Sequence, residues 1–313
     1  MTRKRKGIPI HGWLCLDKPY DMGSTSAVNK VKWLTKAQKV GHAGTLDPLA
    51  TGILPIAFGE ATKTIPFAQD ALKTYEFIVK WGEQTETDDL EGAVINSSDI
   101  RPTKDQILAI LGHYTGTISQ TPPLYSAIKV NGERAYALAR AGQDVCLKSR
   151  EIKIHDLQLN EHMIETSRFT VTCGKGTYIR SLGRDMAIEL GTFGHITHLR
   201  RLAVGCFTEE MSISLDAFEK IVQSAEPEQV LLPIETALDD IPVLALSEAE
   251  ANRLKNGQGL SFVSRPDVDR LIKIGINFKD KNSITALART PKKPIAIVSV
   301  TGVEIKSVRV LNL

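Results

Sequence analysis

The chain has 313 residues, 42% of them apolar and 24% charged, with a net charge of only +3. This composition excludes disordered and fibrous classes, and the length suits a large buried core divided over about two domains. No apolar run reaches the roughly 18 to 20 residues that span a bilayer, and the opening MTRKRKG leads into IPIHGWLCLDKP without a signal-peptide core; a cytoplasmic protein is expected.

In chain order, STSAVNKVKWLTK sets Val28, Val31 and Leu34 at near-helical spacing behind capping hydroxyls, which predicts a helix over 25–37 with Lys30, Lys32 and Lys36 facing outward. GHAGTLDPLATG, residues 41–52, is a glycine-rich turn that carries a single carboxylate, Asp47, stiffened by Pro48. TYEFIVKWG alternates as a strand does, with Tyr75, Phe77, Val79 and Trp81 on one face. The acidic run EQTETDDLEG follows and reads as a loop turned away from any polyanion. PTKDQILAILGHY predicts a helix whose Thr103 and Gln106 have capping-box spacing. REIKIHDLQL and SRFTVTCG read as strands, and YIRSLGRDMAIELG as a helix with Leu182, Met186 and Leu190 stacked and Gly191 ending it. The mixed order predicts an α+β fold with a largely antiparallel sheet rather than a βαβ repeat.

Around Val243 the pattern changes to a short helix at 247–255, closed by Asn256-Gly257, and then to strand-like LIKIGINF, PIAIVSV and VEIKSVRVLNL. Residues 243–313 hold twelve Lys and Arg against six Asp and Glu, a local +6, whereas the other 242 residues carry 27 against 30, a balance of −3. A catalytic-sized body over 1–242 and a small β-barrel-like appendage over 243–313 are expected. By charge alone the appendage is either a polyanion-binding module or a solvated surface that happens to be basic.

Asp before Pro is a common turn residue, and for Asp47 in isolation that plainer role is the stronger one. Its neighbours His42, Thr45 and Pro48 shift the balance toward a preorganised catalytic loop. A metal site is not expected, because His195 and His198 in GHITH have no third ligand nearby. Phosphate-loop chemistry fails too: the Gly-Lys of TCGKGT has Phe169 where the pattern needs a glycine and Gly176 where it needs Ser or Thr. Cys15, Cys146, Cys173 and Cys206 lie far apart and are expected as reduced, buried thiols.

Six stretches, LDKPYDMGSTSAVNKVK, GHAGTLDPLATGILPIAFGEATK, TYEFIVKWGEQTETDDLEG, QTPPLYSAIKVNGERAYALARAG, CGKGTYIRSLGRDMAIELG and HLRRLAVGCF, together resemble the bacterial tRNA pseudouridine-55 synthases of the TruB family, in family order over about residues 10–207. The tail resembles a PUA domain, a small RNA-binding β-barrel, with VDRLIKIGINFKDKNSITALARTPKKP departing most from that pattern. The resemblance implies a pseudouridine synthase fold and isomerisation of a T-loop uridine in tRNA: the base leaves ribose at N1, rotates and rejoins through C5. No atom is gained and no redox change occurs, so no cofactor is implied. One carboxylate serves the electron-poor C1′, either by attacking it or by removing the 2′ proton, unlike the carboxylate pair of most glycosidases.

By the same matching, Asp47 takes the position of the essential carboxylate and Arg180 that of the arginine paired with it. Tyr75 matches the aromatic that stacks on the target base, Tyr178 a second tyrosine of the pocket, His42 the histidine that fills space near the extruded base, and Leu199 a wall contact. Lys18 matches a support of the catalytic loop. Without the family, Arg180 reads as an ordinary surface ion pair and Tyr75 as core beside Phe77. The partner implied is tRNA, with base flipping as the physical problem, and a monomer is the default expectation. Two rival readings stay open: an RNA-binding folding helper, and a base-excising glycosylase with Asp47 as base.

Overall fold

A computed structural model describes residues 7–126, 128–130, 132–141, 143, 146–279 and 282–313. The body is organised on one ten-stranded mixed sheet. Its main path runs Ile213–Ser214, Gly12–Lys18, Thr51–Phe58, Gly194–Val204, Lys73–Trp81, Thr166–Cys173, Arg150–His162 and Gly116–Gln120. Two of these neighbouring pairs are parallel, Gly12–Lys18 with Ile213–Ser214 and Gly194–Val204 with Thr51–Phe58; the others are antiparallel, as the mixed order of elements leads one to expect.

The alternation in 73–81 buries Phe77, Val79 and Trp81, and the Phe77 ring stacks on its cross-strand partner Phe169 with centroids 5.2 Å apart. Helix Ile179–Glu189 closes this half, with Ile179, Leu182 and Met186 in the same cluster. The other half packs Leu14, Leu16, Leu54 and Phe58 against Ala27, Val28 and Val31 of helix Ser24–Thr35 and Phe218 of helix Leu215–Ser224. Tyr75 and Leu199 touch both clusters and so stand at the seam between the halves. At this seam the parallel pair closes tightly: Gly52 adopts φ +98°, and a Cβ there would lie 2.2 Å from the Arg201 carbonyl oxygen. Only glycine permits that approach.

The capping box at Thr103 and Gln106 forms in both directions, and a second joins Ser247 to Glu250 ahead of helix Glu248–Lys255. Beyond it lies a five-stranded sheet, ordered Val243–Ala245, Ile284–Arg289, Pro294–Thr301, Glu304–Val310 and Leu260–Ser261. One expected strand is not there. The first three residues of LIKIGINF end helix Arg265–Lys273, which Ser264 caps through the Asp267 amide and which has Pro266 in its first turn, and the rest is turn and coil. The alternating isoleucines imitate strand spacing, and the capping signal upstream prevails. Cys146 departs from expectation as well, being exposed, whereas Cys15 and Cys173 are buried; all four thiols are free. No helix among the described residues is long and apolar enough to cross a membrane.

The terminal sheet is not tethered to the body by its linker alone. Leu287, Ile297 and Leu311 share one core cluster with Trp13, Ile53 and Phe207, and Lys63 Nζ donates to the Val310 carbonyl at 2.7 Å. Each buried Leu or Ile contributes about 1.5–3 kcal/mol. A chain ending at Asp240 is therefore expected to unfold at least about 10 °C below the full chain in a thermal melt. An unchanged midpoint would show that the body's core is complete without the tail.

Candidate active site

An open cleft of about 690 Å³ lies over the seam and is lined by Asp47, His42, Tyr75, Tyr178, Arg180 and Leu199, among others. The sequence-predicted pocket residues thus come together. Lys18 lies outside the lining, beneath the loop, and is fully buried.

The loop that carries Asp47 is fixed residue by residue. Ser24 Oγ accepts from the Leu46 amide at 2.7 Å and donates to the Leu46 carbonyl at 2.9 Å. Lys18 Nζ donates to the carbonyls of Pro19, Met22 and Pro48 at 2.8, 2.6 and 3.2 Å. Arg201, only 1% exposed, donates from Nε to Ile53 at 2.6 Å, from Nη2 to Gly44 at 3.1 Å and from Nη1 to Thr45 at 3.4 Å. Every partner of Arg201 in this set is a backbone carbonyl, so the side chain shapes the loop, and among the described residues no ion pair engages its charge.

Asp47 itself is partly exposed, and its Oδ2 sits 3.0 Å from Nε of buried Arg180. Among the described residues the Arg180 Nε makes no hydrogen bond, so the contact is one of charge. Its other nitrogens donate to the carbonyls of Thr87 at 2.9 Å and Tyr125 at 3.0 Å, and Asp89 lies 3.5 Å from Nη1. Arg180 is thus a buried, anchored cation rather than an ordinary surface partner.

The acidic run, expected to turn away from any polyanion, instead brings Asp89 and Glu91 to the lining of the cleft. Asp88 and Asp89 are buried, Asp88 paired with Arg184 at 2.9 Å, because Arg180 and Arg184 stand one helical turn apart and face the loop. Burial raises the Asp88 carboxyl above its ordinary range in spite of Arg184.

Tyr75 is the cross-strand partner of Arg201, whose Cζ lies 6.0 Å from its ring centroid. Burial raises its phenol pKa, with Arg201 opposing, so the hydroxyl keeps its proton. Burial and the Arg201 charge lower His42, which presents a neutral imidazole; its buried Nδ1 has no hydrogen-bond partner among the described residues. Tyr178 precedes helix Ile179–Glu189. Its amide donates to Gln120 Oε1 at 2.8 Å, and the Arg150 guanidinium lies 5.1 Å from its ring. Leu199 pairs with Phe77 across the sheet.

Sequence reasoning missed Arg201, Ser24 and Asp89. Arg201 lies in the quoted HLRRL motif, but a charge within a strand ordinarily reads as solvent-facing. His195, weighed as a metal ligand, is buried with Nδ1 2.9 Å from the Glu83 carbonyl, and among the described residues no group of three His, Cys, Asp or Glu is placed to hold a metal.

The fold is that of a chain in the crystal structure of a Cbf5-Nop10-Gar1 complex, matched with a TM-score of 0.72 at 23% identity over 99% of this chain and 91% of that one. The archaeal box H/ACA sRNP Nop10-Cbf5 complex gives a TM-score of 0.70 at 21% identity, covering 99% and 92%. At such identities the likeness is one of fold. Sequence carries the family: the model of the TruB family pseudouridylate synthase N-terminal domain matches residues 32–179, and that of the tRNA pseudouridylate synthase B C-terminal domain matches 180–239. The protein named tRNA pseudouridine synthase B in Rhodospirillum rubrum is 49% identical over 317 residues, covering 100% of both chains. Its namesake in Agrobacterium fabrum is 54% identical over 271 residues, 84% of this chain and 86% of that one. The chain belongs to the TruB family of pseudouridylate synthases.

Burial depresses the Lys18 ammonium from an ordinary 10.5 to about 8, the Asp47 charge opposing and the Arg201 charge reinforcing. Above pH 8 the folded chain releases a proton that the unfolded chain holds until about 10.5, and one of three loop-fixing donors goes with it. Turnover is expected to show an alkaline limb near pH 8, whereas this group's contribution to folding stability rises over the same interval, because the unfolded state binds the extra proton. Lys18→Met should cost up to about 100-fold in rate at pH 7 through loop misplacement and should erase the limb. Single-turnover rates against pH for both proteins check this; a limb that survives in Lys18→Met belongs to another group.

Proposed function

We propose that this chain converts uridine to pseudouridine at position 55 in the T-loop of tRNA, with Asp47 as the essential carboxylate. The observation that carries the reading is the setting of Asp47: partly exposed in the cleft, 3.0 Å from the Arg180 guanidinium, on a loop that Lys18, Ser24 and Arg201 pin from below. As the N1–C1′ bond breaks, C1′ becomes electron-poor; the carboxylate either attacks C1′ or takes the 2′ proton. The free base rotates and C5 bonds to C1′, displacing the carboxylate on the first route or with the 2′ proton returned on the second; C5 loses its proton and N1, freed from ribose, takes one up, so the atoms balance without a second substrate. Either route needs the carboxylate at a fixed place against a cation, and Arg180 at 3.0 Å supplies the charge while the loop supplies the rigidity.

The target uridine is folded inside the RNA, and flipping it out forfeits stacking and pairing worth a few kcal/mol. Tyr75 replaces part of that stacking, and His42, Tyr178 and Leu199 line the space the base enters. Arg201 acts as a positioning residue, tying the loop to the strand beside the one that carries Tyr75. Residues 243–313, with their local +6, serve as a PUA-like module that grips the tRNA away from the T-loop. The enzyme works as a cytoplasmic monomer.

Asp47→Asn keeps shape and removes charge and nucleophilicity. It is expected to abolish isomerisation and to leave tRNA affinity within a few-fold of normal. The assay uses tRNA tritiated at uridine C5. Tritium release without free base supports the synthase, free uracil would assign a glycosylase, and neither product from a protein that still binds would assign an RNA-folding helper. Activity of Asp47→Asn within tenfold of the parent would remove Asp47 from the chemistry.

Tyr75 sits where packing and stacking overlap, so two substitutions are compared. Tyr75→Leu is expected to slow turnover by orders of magnitude, because ring stacking and any proton transfer from C5 vanish together. Tyr75→Phe, which keeps the ring, should retain affinity and so divides the stacking role from the hydroxyl's. If Tyr75→Leu unfolds at markedly lower temperature, the residue is core beside Phe77.

A further inference from the structure

A second surface, on helix Ser24–Thr35, has the residue types that hold nucleic acid, and it lies outside the cleft. The helix buries Val28 and Val31 and leaves Trp33 70% exposed, whereas the other two tryptophans, Trp13 and Trp81, are 0% exposed. Lys30 Nζ lies 5.2 Å from the Trp33 ring centroid and is itself held by Glu219 at 2.9 Å, which sets a cation beside one face of the indole. Asn29, Lys32 and Lys36 line a shallow hollow with Trp33 and Gly7. Among the described residues neither Lys32 nor Lys36 enters an ion pair. In sequence, Gly7 directly follows Arg3, Lys4, Arg5 and Lys6.

The plainer account of the lysines is the helix C-terminus, where cations are favoured. It does not account for an indole left in water among them, since exposing so large an apolar ring forgoes burial that the other two tryptophans achieve. A planar ring ringed by cations fits a base flanked by phosphates. The N-terminal end of the same helix, Gly23 to Thr25, lines the cleft. Trp33 is nine residues further along, about 14 Å at 1.5 Å per residue. We infer that Trp33 with Lys32 and Lys36 forms an RNA-docking patch, on which an unpaired base of the RNA stacks while its flanking phosphates pair with the lysines. The inference rests on reading the cleft as RNA-modifying, and the patch would hold the same RNA molecule at a second point.

Because Trp13 and Trp81 are buried, quenching of the full chain's fluorescence by acrylamide reports on Trp33. Saturating unmodified tRNA transcript is expected to protect Trp33 from acrylamide, equally in the parent and in Asp47→Asn. Trp33→Ala should raise the tRNA Kd about 5- to 100-fold, as loss of one stacked base does. Lys32→Glu with Lys36→Glu should flatten the plot of log affinity against log salt by about 0.7 to 0.9 per contact, with turnover at saturating tRNA unchanged. Full acrylamide access to Trp33 in a complex that labelled-tRNA anisotropy shows to be formed overturns the patch. Protection that rises with protein concentration in the absence of RNA overturns it too, assigning the surface to protein contact. Protection by tRNA without tritium release from the parent enzyme would leave the patch standing and sink the synthase reading.

Discussion

The loop that carries Asp47 depends on buried cations that spend their hydrogen bonds on backbone. Lys18, Arg180 and Arg201 together donate to eight carbonyls, from Pro19, Met22, Pro48, Thr87, Tyr125, Ile53, Thr45 and Gly44. Taking such charges from water is expensive, and removing one partner of a buried charge typically costs about 3–5 kcal/mol. The arrangement recovers part of that cost through good geometry and concentrates positive potential around one carboxylate. A loop held by buried, fully engaged side chains keeps its carboxylate in one place, the kind of setting that preorganised catalysis requires.

The sheet explains why these groups converge. Tyr75 and Arg201 are register partners on adjacent strands, and the neighbouring strand enters at Gly52, where only a glycine lets the backbone pass the Arg201 carbonyl. One strand junction thus fixes the Tyr75 ring, the Arg201 clamp and the root of the loop that carries Asp47. Tyr75 and Leu199 reach hydrophobic clusters on both sides, so the cleft is seated on packed core rather than on a hinge.

Local rules with a backbone mechanism were legible in the sequence. The capping box at Thr103 and Gln106, the alternation of Phe77, Val79 and Trp81, and the ordered motifs around Asp47 all translate directly into what is seen. Tertiary electrostatics were not legible. Asp88 and Asp89 look like a solvated acidic loop until Arg180 and Arg184, more than ninety residues on, are known to face them. Arg201 gives no sign that the carbonyls it needs lie in residues 44–53. The helix at Arg265–Lys273 was hidden by isoleucines at strand spacing, although Ser264 and Pro266 announced it.

The contacts between the terminal sheet and the body have a consequence for biosynthesis. The cluster around Trp13 and Phe207 is completed only by Leu287, Ile297 and Leu311, and Glu60 Oε2 accepts from the Asn312 amide at 2.7 Å. On the ribosome the body's sequence is finished at Leu238 while those three side chains are still to be made, a delay of roughly 4 to 15 seconds at ordinary elongation rates. During that interval an apolar face of the body stands open to solvent and to other nascent chains. The last strands then close it, which makes them the built-in cover for the enzyme's own hydrophobic flank.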